Sequence, residues 1–289
     1  MPNHEIQKNL SNSIIVINKP PGHSSHEITT FVKKIAGANR SGHAGTLDPD
    51  VSGVLPVALG RATKLLRYIA GKDKTYVGIV KFKRIMGRSE VEALFKKFTG
   101  ELVQTPPKIS AVRKVARKRT VYSLRLIELQ GRMALFETRV DAGTYIRTLC
   151  EDMGKLCGGA RMIELRRIAV GKINEKEAHT MEELIDAMWL LKNRGDDSLL
   201  RGMLRAPEEF IDLPKVLIKE SAVGSVFSGA QVMIPAIERM ETGVRKGDRV
   251  ALYCGSLFIG IGIAQISAAE AKTTGHGLAV KLERVHKPE

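Results

Sequence analysis

The chain is 289 residues long, more than one ordinary domain, and its 43% hydrophobic and 27% charged residues exclude wholesale disorder. An excess of 46 Lys and Arg over 31 Asp and Glu gives a formal charge of +15, which favours a polyanion such as RNA or DNA and would also suit an anionic membrane surface. No apolar run approaches the roughly 20 residues that span a bilayer, and the polar start, Met1 to Ser13, does not read as a signal peptide, so an intracellular protein with no membrane partner is expected.

Ile14 to Ile17 reads as a short strand, stopped by the turn residues Asn18-Lys19-Pro20-Pro21-Gly22. A helix follows, capped by Ser24 or Ser25, with Ile28, Phe31, Val32 and Ile35 as its apolar stripe and Gly37 at its end. The stretch Gly42 to Val57 is a glycine-punctuated loop running into a buried strand. Pro49 pushes Asp48 out of the helical region, so the loop reads either as a mount for one working carboxylate or as an ordinary tight turn. Ala62 to Ala70 suggests a short helix and Lys74 to Val80 a strand. Ser89 and Glu92 suggest a capping box for a helix with Val91, Leu94, Phe95 and Phe98 on its face, closed by Gly100.

After Pro106-Pro107, five of the seven residues from 113 to 119 are basic: Arg113, Lys114, Arg117, Lys118 and Arg119. They read as phosphate contacts or, alternatively, as a solvated edge strand. Tyr122, Leu124 and Leu126 alternate with polar residues, as do Ala134, Phe136, Thr138 and Val140 after Gly131, which predicts a hairpin. Asp141-Ala142-Gly143 turns into a helix ending at Gly158-Gly159, with Tyr145 and Arg147 in its first turn. A cation there opposes the helix dipole, so Arg147 calls for an anionic partner unless it is a plain surface residue. Cys150 and Cys157 lie a helical seven apart on that helix and read as core; with Cys254 they offer neither a disulfide framework nor zinc spacing, and no metal is expected.

Thr180 and Glu183 box a further helix carrying Leu184, Met188 and Leu191, with Trp189 beside that face. Residues 192–204 are the expected inter-domain connector. From Leu213 onward short strands with frequent glycines (215–218, 232–234, 250–253, 257–264 and 278–282) suggest a small β-barrel or sandwich. The first ~200 residues mix strands and helices with an antiparallel hairpin, which predicts an α+β or mixed α/β domain.

Five segments in this order closely resemble the dyskerin branch of the pseudouridine synthase B family, archaeal and eukaryotic enzymes that work with H/ACA guide RNAs. They are INKPPGHSSHE at 17–27, GHAGTLDPDVSGVLPVALGRATKL at 42–65, KTY at 74–76, AGTYIRTL at 142–149 and ELRRIAVG at 164–171. The C-terminal GAQVMIPAI at 229–237, GVRKGDRVAL at 243–252 and GLAVKLERV at 277–285 are similar to a PUA domain, except that Ala236 stands where glycine is usual and puts a local turn in doubt. The resemblance implies an α+β catalytic domain with a mixed, largely antiparallel sheet over residues 1–207, and a barrel-like PUA RNA-binding domain over 208–289.

It further implies an RNA uridine isomerase without cofactor or metal, in which Asp48 is the catalytic carboxylate, Tyr76 stacks on the uracil and Arg147 pairs with Asp48. Buried uridines must be extruded; His43 then resembles the residue that takes the vacated place, with a turn-stabilising histidine as the alternative. Tyr145 and Leu165 line the pocket or are plain core, and Lys19 supports the catalytic loop or contacts phosphate. Arg166, Arg167 and the basic run 113–119 are expected on the RNA backbone. Asp50 raises a paired-carboxylate hydrolase, against which two residues flanking a proline need not converge. The implied partners are a guide RNA, an rRNA or tRNA substrate, and the small Nop- and Gar-type and kink-turn-binding proteins. Without long lysine-rich tails the chain reads as archaeal and cytoplasmic, or nucleolar if eukaryotic. The start, Met1 to Ser13, is open between folding back on the PUA domain and having no fixed structure. A stand-alone enzyme for the tRNA T-loop and a non-catalytic RNA-binding scaffold are the rival readings.

Overall fold

A computed structural model describes residues 4–106 and 113–287, leaving aside the side chains of His4 and Glu5. The chain divides into two compact units, Met1–Arg205 and Ala206–Glu289. The first is built on a nine-stranded sheet. Its main path runs Ile14–Lys19, Ser52–Leu59, Ala160–Val170, Lys74–Phe82, Met133–Val140, Arg117–Gln130, Gly100–Gln104. Ser52–Leu59 meets Ala160–Val170 in parallel, and every other named strand pair in this sheet is antiparallel.

Ile14–Lys19 and Ser52–Leu59 are near-continuous apolar runs because both faces are covered. Helices Ser25–Ile35, Met181–Arg194 and Ser198–Met203 pack Ile28, Val32, Leu184, Leu191, Leu200 and Met203 against Ile15, Ile17, Leu55 and Val57. A second cluster lies where helices Arg88–Lys97 and Ile146–Cys157 cover the other strands, joining Val91, Phe95, Leu149 and Cys150 to Val80, Phe82 and Phe136. The second unit is a six-stranded sheet in the order Val232–Met233, Leu278–Val285, Leu257–Ala264, Arg249–Cys254, Lys215–Ile218, Ile237–Met240, closed over Val216, Val250, Ile259 and Val280. The mixed, largely antiparallel α+β unit and the barrel-like second sheet are the architecture expected from the sequence.

Several local expectations change. Ser89 and Glu92 form no capping box: the cap of Arg88–Lys97 is Gly87, and Glu92 instead receives Arg88 Nη1 at 3.0 Å. Tyr122 is not inward, since the ladder slips between Val121 and Ser123 and again between Leu126 and Glu128. These bulges turn Val121 and Leu126 inward and Tyr122 out. Phe31 leaves its predicted stripe for the surface, edge-on to His23, while Ile28 and Val32 remain buried. Residues 192–204 are not a connector; they finish one helix and form the whole of another, and Leu200 and Met203 are core. Within the start, His4–Leu10 is a helix whose Ile6 and Leu10 belong to the first unit's core. Ala236 sits in the short turn Ile234–Ala236, and no residue other than glycine has positive φ among the described residues, so this position has no need of glycine.

Candidate active site

The loop that bears Asp48 leaves the short strand Ser41–His43 and re-enters the sheet at Ser52–Leu59. Gly45, at φ 95, lets the chain turn between them, and Val51 N–H donates to Asp48 O at 3.0 Å. Leu47 and Val51, on either side of Asp48, are buried in one cluster with Tyr76, Ile146 and Leu165. That packing leaves the Asp48 side chain facing outward and half exposed, with Arg147 Nη2 3.1 Å from its Oδ2. Arg147 is the second residue of Ile146–Cys157, where only an anion offsets the unfavourable helix dipole; Asp48 supplies it. Asp50 is exposed.

Two polar residues without an expected role at the site, Ser25 and Gln104, fix this geometry. Ser24 caps the helix Ser25–Ile35, which frees Ser25 to accept from Leu47 N–H at 2.8 Å and donate to Leu47 O at 2.9 Å. Gln104, buried at the end of its strand, accepts from Tyr145 N–H at 2.9 Å and donates to Tyr145 O at 3.1 Å, setting the start of the Arg147 helix. Tyr145 is thus the half-buried residue before the helix rather than part of its first turn. The Ser24/Ser25 ambiguity was a visible signal for the first. Nothing local marked the second, whose partner lies 41 positions away.

Lys19 is not placed for phosphate. It is fully buried, and its Nζ donates to Pro20 O at 2.8 Å, His23 O at 2.6 Å and Pro49 O at 2.9 Å, so it braces the loop from behind. Burial lowers its pKa, opposed mainly by Asp50. Arg167 is likewise corrected: it is completely buried rather than on an RNA-facing surface. Its Nε donates to Val54 O at 2.8 Å and its Nη2 to Gly45 O at 3.1 Å, and its guanidinium hydrogen-bonds the Tyr76 side chain. A third buried cation, Lys74, donates to Ala70 O at 2.6 Å and to Lys72 O. Desolvation, helped by the Arg167 charge, pushes the Lys74 pKa down to about 8.

Tyr76 is buried on Lys74–Phe82 opposite Arg167 of Ala160–Val170. Two residues on, Gly78 faces Leu165; a Cβ there would lie 2.8 Å from Leu165 Cδ1, so glycine is what lets Leu165 close on the strand. His43 is half-buried, and its Nδ1 is enclosed without a hydrogen-bond partner among the described residues. Burial, then the charges of Arg167 and His26, lower its pKa and favour the neutral ring. Arg166 is tied to Glu175 at 2.9 Å and to Asn18 Oδ1 at 3.1 Å. Arg113, Lys114, Arg117 and Lys118 are exposed, Lys118 pairing with Glu101 at 2.9 Å, whereas Arg119 is half-buried against Gly143. The edge strand is Gly100–Gln104, not the basic run; residues 107–112 before that run lie outside the described ones.

The structure therefore brings together Asp48, Arg147, Tyr76 and Leu165 from four segments 117 positions apart at most. Among the described residues no three His, Cys, Asp or Glu side chains gather as metal ligands, and no helix is long and apolar enough to cross a membrane.

Profiles of known families match most of the chain. TruB family pseudouridylate synthase (N terminal domain) covers residues 33–86, tRNA pseudouridylate synthase B C-terminal domain 147–212, and PUA domain 214–286. A probable tRNA pseudouridine synthase B of Pyrobaculum aerophilum is 44% identical over 277 residues, spanning 94% of this chain and 83% of the relative. Its counterpart in Archaeoglobus fulgidus is 37% identical over 283 residues, spanning 97% and 87%. Among solved structures, a chain of a Cbf5-Nop10-Gar1 complex superposes with a TM-score of 0.91 at 37% identity, covering 98% of this chain and 87% of that one. A chain from an H/ACA RNP bound to a substrate RNA containing 2'-deoxyuridine gives 0.90 at 35%, covering 98% and 87%. Identity of this extent along nearly the whole length, on a shared fold, assigns the chain to the TruB family of pseudouridylate synthases.

Proposed function

We propose that this pseudouridine synthase acts as the catalytic subunit of an H/ACA-type guide ribonucleoprotein, with Asp48 as its catalytic carboxylate. The observation that carries the site is the 3.1 Å pair between Asp48 and Arg147, set on the surface of the cluster that holds Tyr76 and Leu165. Isomerisation breaks the uridine N1–C1′ bond, turns the base and rejoins it through C5, releasing the C5 proton. A carboxylate serves by attacking C1′ or by taking the 2′ proton to give a glycal. Arg147 holds Asp48 ionised and aimed, Tyr76 stacks on the uracil, Leu165 and Tyr145 line its pocket, and His43 enters the gap left by the extruded base.

Support for the guide-dependent reading comes from the Cbf5 complexes with Nop10, Gar1 and substrate RNA, to which this chain is similar over almost all its length. The corresponding partners here are a guide RNA, Nop- and Gar-type subunits and a kink-turn-binding protein, in an archaeal cytoplasm. Residues 1–207 act on the uridine and 208–289 grip RNA, with Arg113, Lys114 and Arg117 on its backbone. The relatives' name, tRNA pseudouridine synthase B, supports a second reading in which tRNA is modified without a guide.

One assay separates these readings: tritium release from RNA labelled at uridine C5, with and without the guide complex. Guide-dependent release supports the proposal, and equal release from tRNA without a guide would replace it with the second reading. Asp48→Asn should abolish release while retaining RNA binding; release equal to wild type would sink the catalytic assignment and leave a scaffold.

A further inference from the structure

Arg167 is fully buried beside the site, and no chemical step requires it. Its strand lies between Ser52–Leu59, where it pairs with Gly53, and Lys74–Phe82, where it pairs with Tyr76. Its guanidinium spans three separate pieces: Gly45 O at the entrance of the catalytic loop, Val54 O just past its exit, and the Tyr76 side chain. These partners are two neutral carbonyls and a phenol, so among the described residues burial of the cation is not offset by a hydrogen-bonded carboxylate. Arginine is seldom fully buried without such a pair. A guanidinium can hold three acceptors at fixed angles in one plane, which a lysine ammonium on a flexible stem cannot do.

We propose that Arg167 is a positioning residue for the isomerisation, locking the Tyr76 ring in register with the Asp48 loop so that base and ribose of one nucleotide meet both groups at once. The inference rests on the reading in which Tyr76 stacks on the uracil and Asp48 acts on the ribose. A purely structural role would instead join strands for stability and leave Tyr76 uncoupled.

The test is a double-mutant cycle in the assembled guide complex, using Arg167→Lys, Tyr76→Phe and the double variant. Single-turnover release of tritium from saturating enzyme and substrate RNA dissociation are read for each. Arg167→Lys should slow the single-turnover step roughly tenfold or more, as loss of alignment does, with substrate RNA affinity unchanged. Tyr76→Phe keeps the ring and removes only the hydroxyl that Arg167 holds. It should slow wild type but add little to Arg167→Lys, because both break one linkage. A wild-type rate in Arg167→Lys, or effects that multiply independently, overturns the proposal. Should Arg167→Lys not fold, Tyr76→Phe decides alone, and an unchanged rate there overturns it. Asp48→Asn in the same assay reports on the underlying reading: full turnover removes that reading, whereas lost turnover with independent Arg167 and Tyr76 effects removes the positioning role only.

Discussion

Gly53→Ala tests how tightly the catalytic loop is moored to the sheet. Gly53 has φ +104 and lies where Ser52–Leu59 pairs with Ala160–Val170; a Cβ added to it would sit 2.1 Å from Arg167 O and 2.9 Å from Arg167 C. Carbon–oxygen contacts settle at about 3.3 Å, so the two strands must part by roughly 1.2 Å. The left-handed backbone costs an alanine about 1–3 kcal/mol, and weakening the two-residue parallel ladder adds about 1 kcal/mol per hydrogen bond. The sum is on the order of 3–5 kcal/mol, or a melting temperature lower by about 6–20 °C at some 2–4 °C per kcal/mol for a unit of this size. Asp48 is only five residues away, so turnover should also fall, by about 10² for a displacement near 1 Å. Gly22→Ala is the internal control: its φ is +93, but nothing lies within 4 Å of the added carbon, so it should show the strain cost alone, the same figure of about 1–3 kcal/mol. Thermal melting followed by circular dichroism, with single-turnover tritium release, reads both effects. A Gly53→Ala protein that melts no lower than Gly22→Ala would refute the reasoning.

Arg147→Met should change stability by no more than about 1 kcal/mol, because the Asp48 pair is exposed to the extent of 34% and 53% of its side chains. Turnover should nevertheless drop by about 10² as the carboxylate loses its fixed partner; turnover within a few-fold of wild type would contradict this. Lys74 makes a prediction about pH. Its folded pKa of about 8 lies below the ordinary 10.5, so between those values the unfolded chain holds more protons and stability rises with pH. Urea unfolding of wild type and Lys74→Met near pH 8 and near pH 10.5 should therefore show wild type gaining relative to the variant, and a constant difference would refute the assignment.

The fold was legible where the pattern along the chain was decided by local physics. The period of 3.6 over Ile28 and Val32, the Thr180–Glu183 capping box and the apolar runs of the two doubly covered strands all survive in the structure. Failures fall where a neighbour distant in sequence alters the local rule. Bulges opposite Met133–Val140 turned Tyr122 outward. The Ser89–Glu92 box failed for a local reason instead: the helix begins at Arg88, which makes Ser89 its second residue and leaves Glu92 to pair with Arg88. The expected connector contains polar residues enough for a linker, but Leu200 and Met203 close the same core as Ile15 and Ile17.

At the site, Arg167 was expected on the RNA backbone, and Lys19 was left open between bracing the catalytic loop and contacting phosphate, because charge was read as exposure; yet the chain carried a signal for burial of both. Along Ile14–Lys19, Lys19 shares its face with the buried Ile15 and Ile17; along Ala160–Val170, Arg167 shares its face with Leu165. Along Lys74–Phe82, Lys74 takes the same alternate positions as Tyr76, Val80 and Phe82. In each case period two puts a cation inside. A buried cation needs acceptors rather than water, and a loop crossing the end of a sheet presents main-chain carbonyls outside the ladder: Pro49 O for Lys19, Gly45 O for Arg167. The excess positive charge of this chain is therefore of two kinds. One part, such as Arg113 and Lys114, is solvated and available to phosphate. The other is spent on main-chain oxygens around Asp48, so that removing it should disturb the geometry of the reaction before it disturbs affinity for RNA.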